Sequence, residues 1–170
     1  MDATLVSSTA SASSIPWLSL IVLLPATGAL ILQFLPVNQS ESPTFFRNFA
    51  IGFLAVDFII IITVLSQYFD KNISQIQLIE RLSWLPSIGL EWSLGADGIS
   101  APLVALSGLI TLLSAAASWK ITNKPKLYFS LLLIQASAQS LVFLSQDFLL
   151  FFLAWELELV PVYLLIAIWG

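Results

Sequence analysis

The sequence contains neither cysteine nor histidine. Thiolates and imidazoles are the usual ligands of iron–sulfur clusters, haem iron and structural zinc, so redox chemistry on this chain's own side chains is excluded, and no disulfide hints at a compartment. Charge is also scarce: six Lys and Arg against ten Asp and Glu make up 9% of 170 residues and leave a net charge of −4. An ordinary soluble domain is about one quarter charged, so this chain cannot cover itself with a polar surface. The cations form no stripe of the kind that grips phosphates, and nucleic acid is not an expected partner. No Lys or Arg precedes Ile15, so the opening stretch MDATLVSSTASASS lacks the positive region of a cleaved secretory signal. It reads as a short polar tail.

What the chain does have is apolar length. Hydrophobic residues make up 58% of it, with mean hydropathy +0.95, and polar punctuation divides them into five blocks near residues 15–36, 48–66, 98–118, 127–145 and 148–169. A helix of about 20 residues crosses roughly 30 Å of hydrocarbon, so the expected fold is all-α: one polytopic transmembrane helix bundle in a single membrane domain over residues 1–170. Pro25 and Pro161 fall inside two blocks, which a membrane tolerates where neighbouring helices or hydroxyls satisfy the freed carbonyls. With the N-terminus outside, the inner loops hold Arg47, Lys120, Lys124 and Lys126 and the outer ones Lys71 and Arg81. The excess of cations on one side predicts that tail outside and the C-terminus on the cytoplasmic side.

The only long connection runs over residues 67–96. Within it LEWSL alternates Leu90, Trp92 and Leu94 with Glu91 and Ser93, which fits a half-buried strand, and Ile76, Leu78 and Trp84 add apolar surface. Two readings stand: a small hairpin on the membrane face with its tryptophans at headgroup level, or an irregular loop.

Two acids interrupt the last block. An ionised carboxylate at mid-bilayer costs at least about 2.5–3.5 kcal/mol, so such a position implies a function or a buried partner. Glu156 lies eight residues into the block, roughly 12 Å deep at 1.5 Å per residue and near the midplane. A carboxyl whose charged form is penalised there is suited to taking up and releasing protons, as a relay requires. The alternative is a carboxyl hydrogen-bonded to hold helices together. Glu158 is two residues on, about 200° around the helix, so the pair cannot share a face; if Glu156 looks into the bundle, Glu158 looks to another helix or a neighbouring subunit. Pro161 leaves the carbonyl of Leu157 without its donor, which predicts a local kink and a polar pocket beside Glu156.

Other polar residues punctuate the helices. Ser107, Thr111, Ser114 and Ser118 recur at helical spacing, as do Gln135 and Gln139; such stripes either hold water or serve as packing seams. Asp57, central in the second block, is either a relay member or a satisfied structural carboxyl. Asp97 in GADG stands where an acid caps a helix N-terminus.

The string DFLLFFLAWELELVPVYLLIAIWG, from Asp147 to Gly170, resembles the fifth-helix signature of the antiporter-like membrane subunits of respiratory complex I and its photosynthetic relatives. IPWLSLIVLLP, LEWSLGADGIS and KPKLYF are similar to the same family, in the same order, so the resemblance covers essentially the whole chain. It implies a proton-translocating subunit of a complex I-like (NDH-1) NAD(P)H or ferredoxin:plastoquinone oxidoreductase. NAD(P)H or ferredoxin, iron–sulfur clusters and plastoquinone would then be handled by other subunits, with no cofactor or metal on this chain. It implies other membrane subunits of that complex and the lipid bilayer as partners, and a thylakoid membrane, cyanobacterial or chloroplast, with a lumenal N-terminus and a stromal C-terminus. In that family the glutamate after the aromatic residue pairs with a lysine on the seventh helix; Glu156 matches it, with Asp57 and Glu158 as lesser candidates. Family members are much longer, so the chain reads as the N-terminal part of such a subunit, or as a partial subunit that cannot complete a channel alone. The fourth block departs from the family in carrying Ser and Gln where Gly, Met and Tyr are expected. Two alternatives stand beside this function: a subunit of a multisubunit cation/proton antiporter, and a truncated structural or assembly component.

Overall fold

A computed structural model describes residues 15–36, 43–70, 72–73, 75–85 and 89–170. The tail expected over residues 1–14, and Lys71, lie outside the described residues. Helices satisfy every backbone group within the segment, the condition for crossing hydrocarbon. Five form here: α1 (Trp17–Phe34), α2 (Pro43–Gln67), α3 (Ser100–Ala117), α4 (Pro125–Leu144) and α5 (Phe148–Trp169). All five are long and apolar enough to span a membrane, and the chain is a multi-pass membrane protein. α2 starts at Pro43 rather than near residue 48. Proline has no N–H to leave unsatisfied in a first helical turn, so the helix extends through the polar stretch that hydropathy alone leaves out.

The long connection folds as an antiparallel hairpin of β1 (Gln77–Leu85) and β2 (Leu90–Ala96). Its register slips between Gln77 and Glu80, where Leu78 takes the left-handed φ of 57°, as a bulge demands. The expected alternation holds in part: Leu94 is buried, Trp92 half-buried and Glu91 exposed, but Ser93 is buried too. The turn between α4 and α5 covers it. The Gln146 N–H donates to the Ser93 carbonyl at 2.8 Å, and the Gln146 amide to the Gly95 carbonyl at 3.3 Å. A Cβ at Gly95 would meet Ile76 Cγ2 at 2.6 Å, so any larger residue there would have to displace that side chain.

Glu80 fastens the hairpin to α1. The first N–H groups of a helix lack partners within it, and no side chain at the cap position of α1 supplies one. Glu80 does so from the hairpin: Oε1 accepts from the Leu18 N–H at 2.7 Å, and Oε2 accepts from the Ser19 N–H at 2.9 Å and the Ser19 hydroxyl at 2.6 Å. The Trp92 indole N–H donates to the same hydroxyl at 2.9 Å, so this tryptophan points at α1 while Trp84 is exposed. A carboxylate at that end also suits the helix dipole. At the opposite end of α1, Lys126 Nζ donates to the Leu35 carbonyl at 3.0 Å.

α4 packs against all four other helices, whereas α5 is the least buried of the five. Two apolar clusters fill the interior. One lies toward the hairpin and includes Leu18, Val22, Ile61, Val104 and Leu141. The other lies toward the α3–α4 loop and includes Ala29, Leu54, Ala115, Phe129 and Leu133. Where α1 meets α2, Gly28 allows close approach: a Cβ there would come within 2.6 Å of the Phe53 ring, the small-residue contact on which membrane helix packing relies.

Replacing Glu80 with Ala leaves three donors at the head of α1 without their acceptor. The expected loss is about 1–2 kcal/mol of stability, read as a lowered unfolding midpoint in detergent or nanodiscs, with Trp92 fluorescence shifting as the hairpin detaches.

Candidate functional site

α5 is apolar on all sides, so hydropathy does not say which way it turns; small residues and proline do. Its buried positions are Leu150, Ala154 and Pro161. Glu158 is four residues from Ala154 and three from Pro161, on the row that meets α4. There the Gln135 amide N–H donates to Glu158 Oε1 at 2.9 Å. Glu156 stands on the other side with Phe152, Leu159, Val160 and Tyr163, all exposed, and makes no hydrogen bond to any described residue. Glu156 therefore does not look into the bundle in these five helices. Glu158 does so, because the offset of about 200° lets only one of the two reach α4 and Ala154 and Pro161 let α5 approach on Glu158's side.

Asp57 lies between Leu54 and Ile61 on the inward face of α2, at the level where the two apolar clusters part. It is 3% exposed, and its Oδ1 has no partner among the described residues. The buried positions of α3 between the two clusters are Ser107 and Thr111, and those of α4 include Ser137, Ala138 and Ser140. Small and polar side chains thus stand at mid-height on these helices.

Most hydroxyls at this height are already engaged. Ser107 donates to the Val104 carbonyl at 3.1 Å, Thr111 to the Ser107 carbonyl at 2.9 Å and Ser114 to the Ile110 carbonyl at 2.8 Å, all within α3 itself. Ser137 instead reaches across to α1 and donates to the Val22 carbonyl at 2.6 Å, one residue after Ile21, whose carbonyl loses its helical donor to Pro25. Sequence reading missed this bond, as it missed Gln135 as the partner of Glu158. An amide facing an intramembrane acid is the signal that could have found the second. Among the described residues no cluster of acidic side chains is arranged to hold a metal ion.

Asp97 does cap α3. Its Oδ1 accepts from the Ile99 N–H at 2.9 Å and the Ser100 N–H at 2.7 Å, while Ser100 Oγ accepts from the Asp97 N–H at 2.9 Å. The backbone N–H of Ser100, then that of Ile99, holds the carboxyl below its ordinary range. Asp147 caps α5 likewise, accepting from the Leu150 N–H at 2.7 Å.

No family model matches the chain. The chain is similar to NAD(P)H-quinone oxidoreductase chain 4 from Synechococcus sp. strain WH7803, with 50% identity over 91% of this chain and 28% of that protein. It is similar also to NAD(P)H-quinone oxidoreductase chain 4 2 from Microcystis aeruginosa, with 46% identity over 93% of this chain and 28% of the relative. The chain therefore spans a little over a quarter of the length of the curated relatives it matches. Among solved structures, a chain of respiratory complex I from Thermus thermophilus superimposes with a TM-score of 0.71 at 22% identity, covering 90% of this chain and 29% of that one. A chain of the archaeal membrane-bound sulfane sulfur reductase does so with a TM-score of 0.66 at 19% identity, covering 91% and 23%. Both share the fold.

Because Asp97 is held below the usual carboxylate range, its cap is present at neutral pH and is lost only as pH falls through that lowered value. Protection of the Ile99 and Ser100 amides, with the intrinsic pH dependence of exchange divided out, is expected to be constant around neutral pH and to fall only in acid. Asp97→Ala is expected to lower protection at neutral pH to the level wild type reaches in acid and Asp97→Asn to remove the acid step, since Asn caps without titrating.

Proposed function

We propose that this chain, homologous to NAD(P)H-quinone oxidoreductase chain 4 along nearly its whole length, contributes to a proton-translocating membrane subunit of such an oxidoreductase. Oxidation of NAD(P)H or ferredoxin, and the iron–sulfur and plastoquinone chemistry, belong to other subunits. This chain's share is to carry protons through a thylakoid membrane in response to that distant electron transfer. The lumenal-tail orientation is part of the same reading: Arg47, Lys120, Lys124 and Lys126 lie toward the end of the bundle opposite the hairpin.

One observation carries the proposal. Glu156 places a carboxyl at mid-depth on an otherwise apolar, outward-facing side of α5, without a hydrogen-bond partner among the described residues. The penalty of about 2.5–3.5 kcal/mol or more for a charge at that depth calls for a counterpart beyond these five helices. The relatives are more than three times as long as the matched segment, and the family resemblance supplies a lysine on a later helix as that counterpart. Approach and withdrawal of such a cation changes which form of the carboxyl is favoured, and so moves a proton. Asp57, buried at mid-height with an unpartnered oxygen, is the second candidate station. A helix-tying role is favoured by a specific contact only at Glu158, through Gln135.

Glu156→Gln in the intact complex is expected to abolish proton translocation while assembly stays intact, measured as proton uptake into membrane vesicles during quinone reduction. Unchanged translocation in that variant would leave the packing role in its place.

A further inference from the structure

Charge is unevenly shared between the two ends of the bundle. At the hairpin end stand Asp70, Glu80, Glu91, Asp97 and Asp147, with Arg81 as the one cation among the described residues. The opposite end holds Arg47, Lys120, Lys124 and Lys126 and, among the described residues, no Asp or Glu. Two of these cations are engaged. Lys126 donates to the Leu35 carbonyl at 3.0 Å, and Arg47 donates to the amide oxygen of its neighbour Asn48 at 3.4 Å and 3.5 Å. Lys120 and Lys124 stand exposed in the loop between α3 and α4, with no described acid at that end to neutralise them.

That loop is short and tied down. Residues 118–124 alone join α3 to α4, and at no more than about 3.5 Å per residue they cannot carry the lysines far above the membrane surface. The Ile121 N–H donates to the Ser118 carbonyl at 3.4 Å, the Trp169 indole N–H donates to the Asn123 carbonyl at 2.8 Å, and the Ser118 and Tyr128 hydroxyls lie 2.7 Å apart. Lys124 takes a left-handed φ of 48° at the head of α4, whose first turn has neither a capping side chain nor an acid. The positive end of that helix dipole therefore adds to the lysine charge.

Trp119 is 66% exposed in the same loop, and Lys120 Nζ lies 5.4 Å from its ring centroid. An indole beside cations at the end of a span is suited to headgroup depth. α3, which leads into the loop, exposes Leu106, Ile110 and Leu113 at spacings of four and three, one apolar row along the helix. Cations at headgroup depth next to an apolar row match a lipid with an anionic head. An acidic protein surface would answer the lysines but not the indole or the row.

We propose that Trp119, Lys120 and Lys124 form a docking site for the headgroup of an anionic phospholipid, whose chains lie along the exposed row of α3. The lysines hold the phosphate and the indole lies at headgroup depth. This site is separate from Glu156, which stands at mid-depth on α5.

The test uses the intact complex in phosphatidylcholine vesicles that carry a trace of photoreactive lipid, either phosphatidylglycerol or phosphatidylcholine, with crosslinks mapped by mass spectrometry. At low salt the phosphatidylglycerol probe is expected to label the α3 row and the loop in excess of the phosphatidylcholine probe, by about five-fold per lysine. Salt at about 1 M, where the screening length is about 3 Å, is expected to remove most of that excess. Lys120→Gln combined with Lys124→Gln is expected to abolish it, Lys120→Arg combined with Lys124→Arg to keep it, and Trp119→Ala to weaken it. Equal labelling by the two probes in wild type, or an excess that survives high salt or the double Gln variant, would overturn the proposal. So would crosslinking of the loop to an acidic protein with no lipid label, which would assign the lysines to a subunit interface. Should the Gln variant fail to assemble, the two-probe comparison and its salt dependence in wild type still decide. Proton translocation is not the readout, so failure of the relay reading would leave this result standing.

Discussion

Hydrocarbon offers no hydrogen bonds, so each polar group carried into a bilayer must be answered from within the protein. The arrangement of these five helices follows from that constraint. Helices answer the backbone, and where they cannot, side chains from distant parts of the chain step in: Glu80 at the head of α1 and Lys126 at its foot. The hydroxyls of α3 turn back onto their own helix. Ser, Thr and Gly thus serve the same purpose here that larger apolar residues serve in a soluble core, letting helices approach without leaving donors or acceptors bare.

Against that background the unanswered groups stand out. Among the described residues Asp57 Oδ1, Ser130 Oγ and Gln135 Oε1 are shielded and unpartnered, and Glu156 faces outward at mid-depth. Glu156 has no hydrogen-bond partner among the described residues, and the chain spans little more than a quarter of the length of its chain 4 relatives. Two acids spaced by one residue face different ways, one turned to the bundle and one away from it, because they lie about 200° apart around the helix.

Much of this was legible in the residues. Apolar blocks separated by KITNKPK and by the long second connection marked five spans, and the alternation of Leu90, Trp92 and Leu94 marked a strand. GADG announced a cap that the structure contains. The facing of α5 was not legible, because a helix that is apolar all round has no preferred side; only the small Ala154 and the buried Pro161 favour the side that Glu158 shares. Long-range partners were equally hidden. Nothing local to Glu80 indicates that it caps a helix 62 residues away, nor that Gln146 closes over Ser93. Such contacts depend on how elements stack, and the local sequence encodes the elements rather than their stacking.

The most direct measurement is an experimental structure of the full-length chain within its complex, resolved well enough to place the groups around the Glu156 carboxyl. This account predicts a lysine ammonium, or water linked to one, within hydrogen-bonding reach of that carboxyl on the side turned away from α4. A carboxyl surrounded there only by lipid chains or apolar side chains would contradict it.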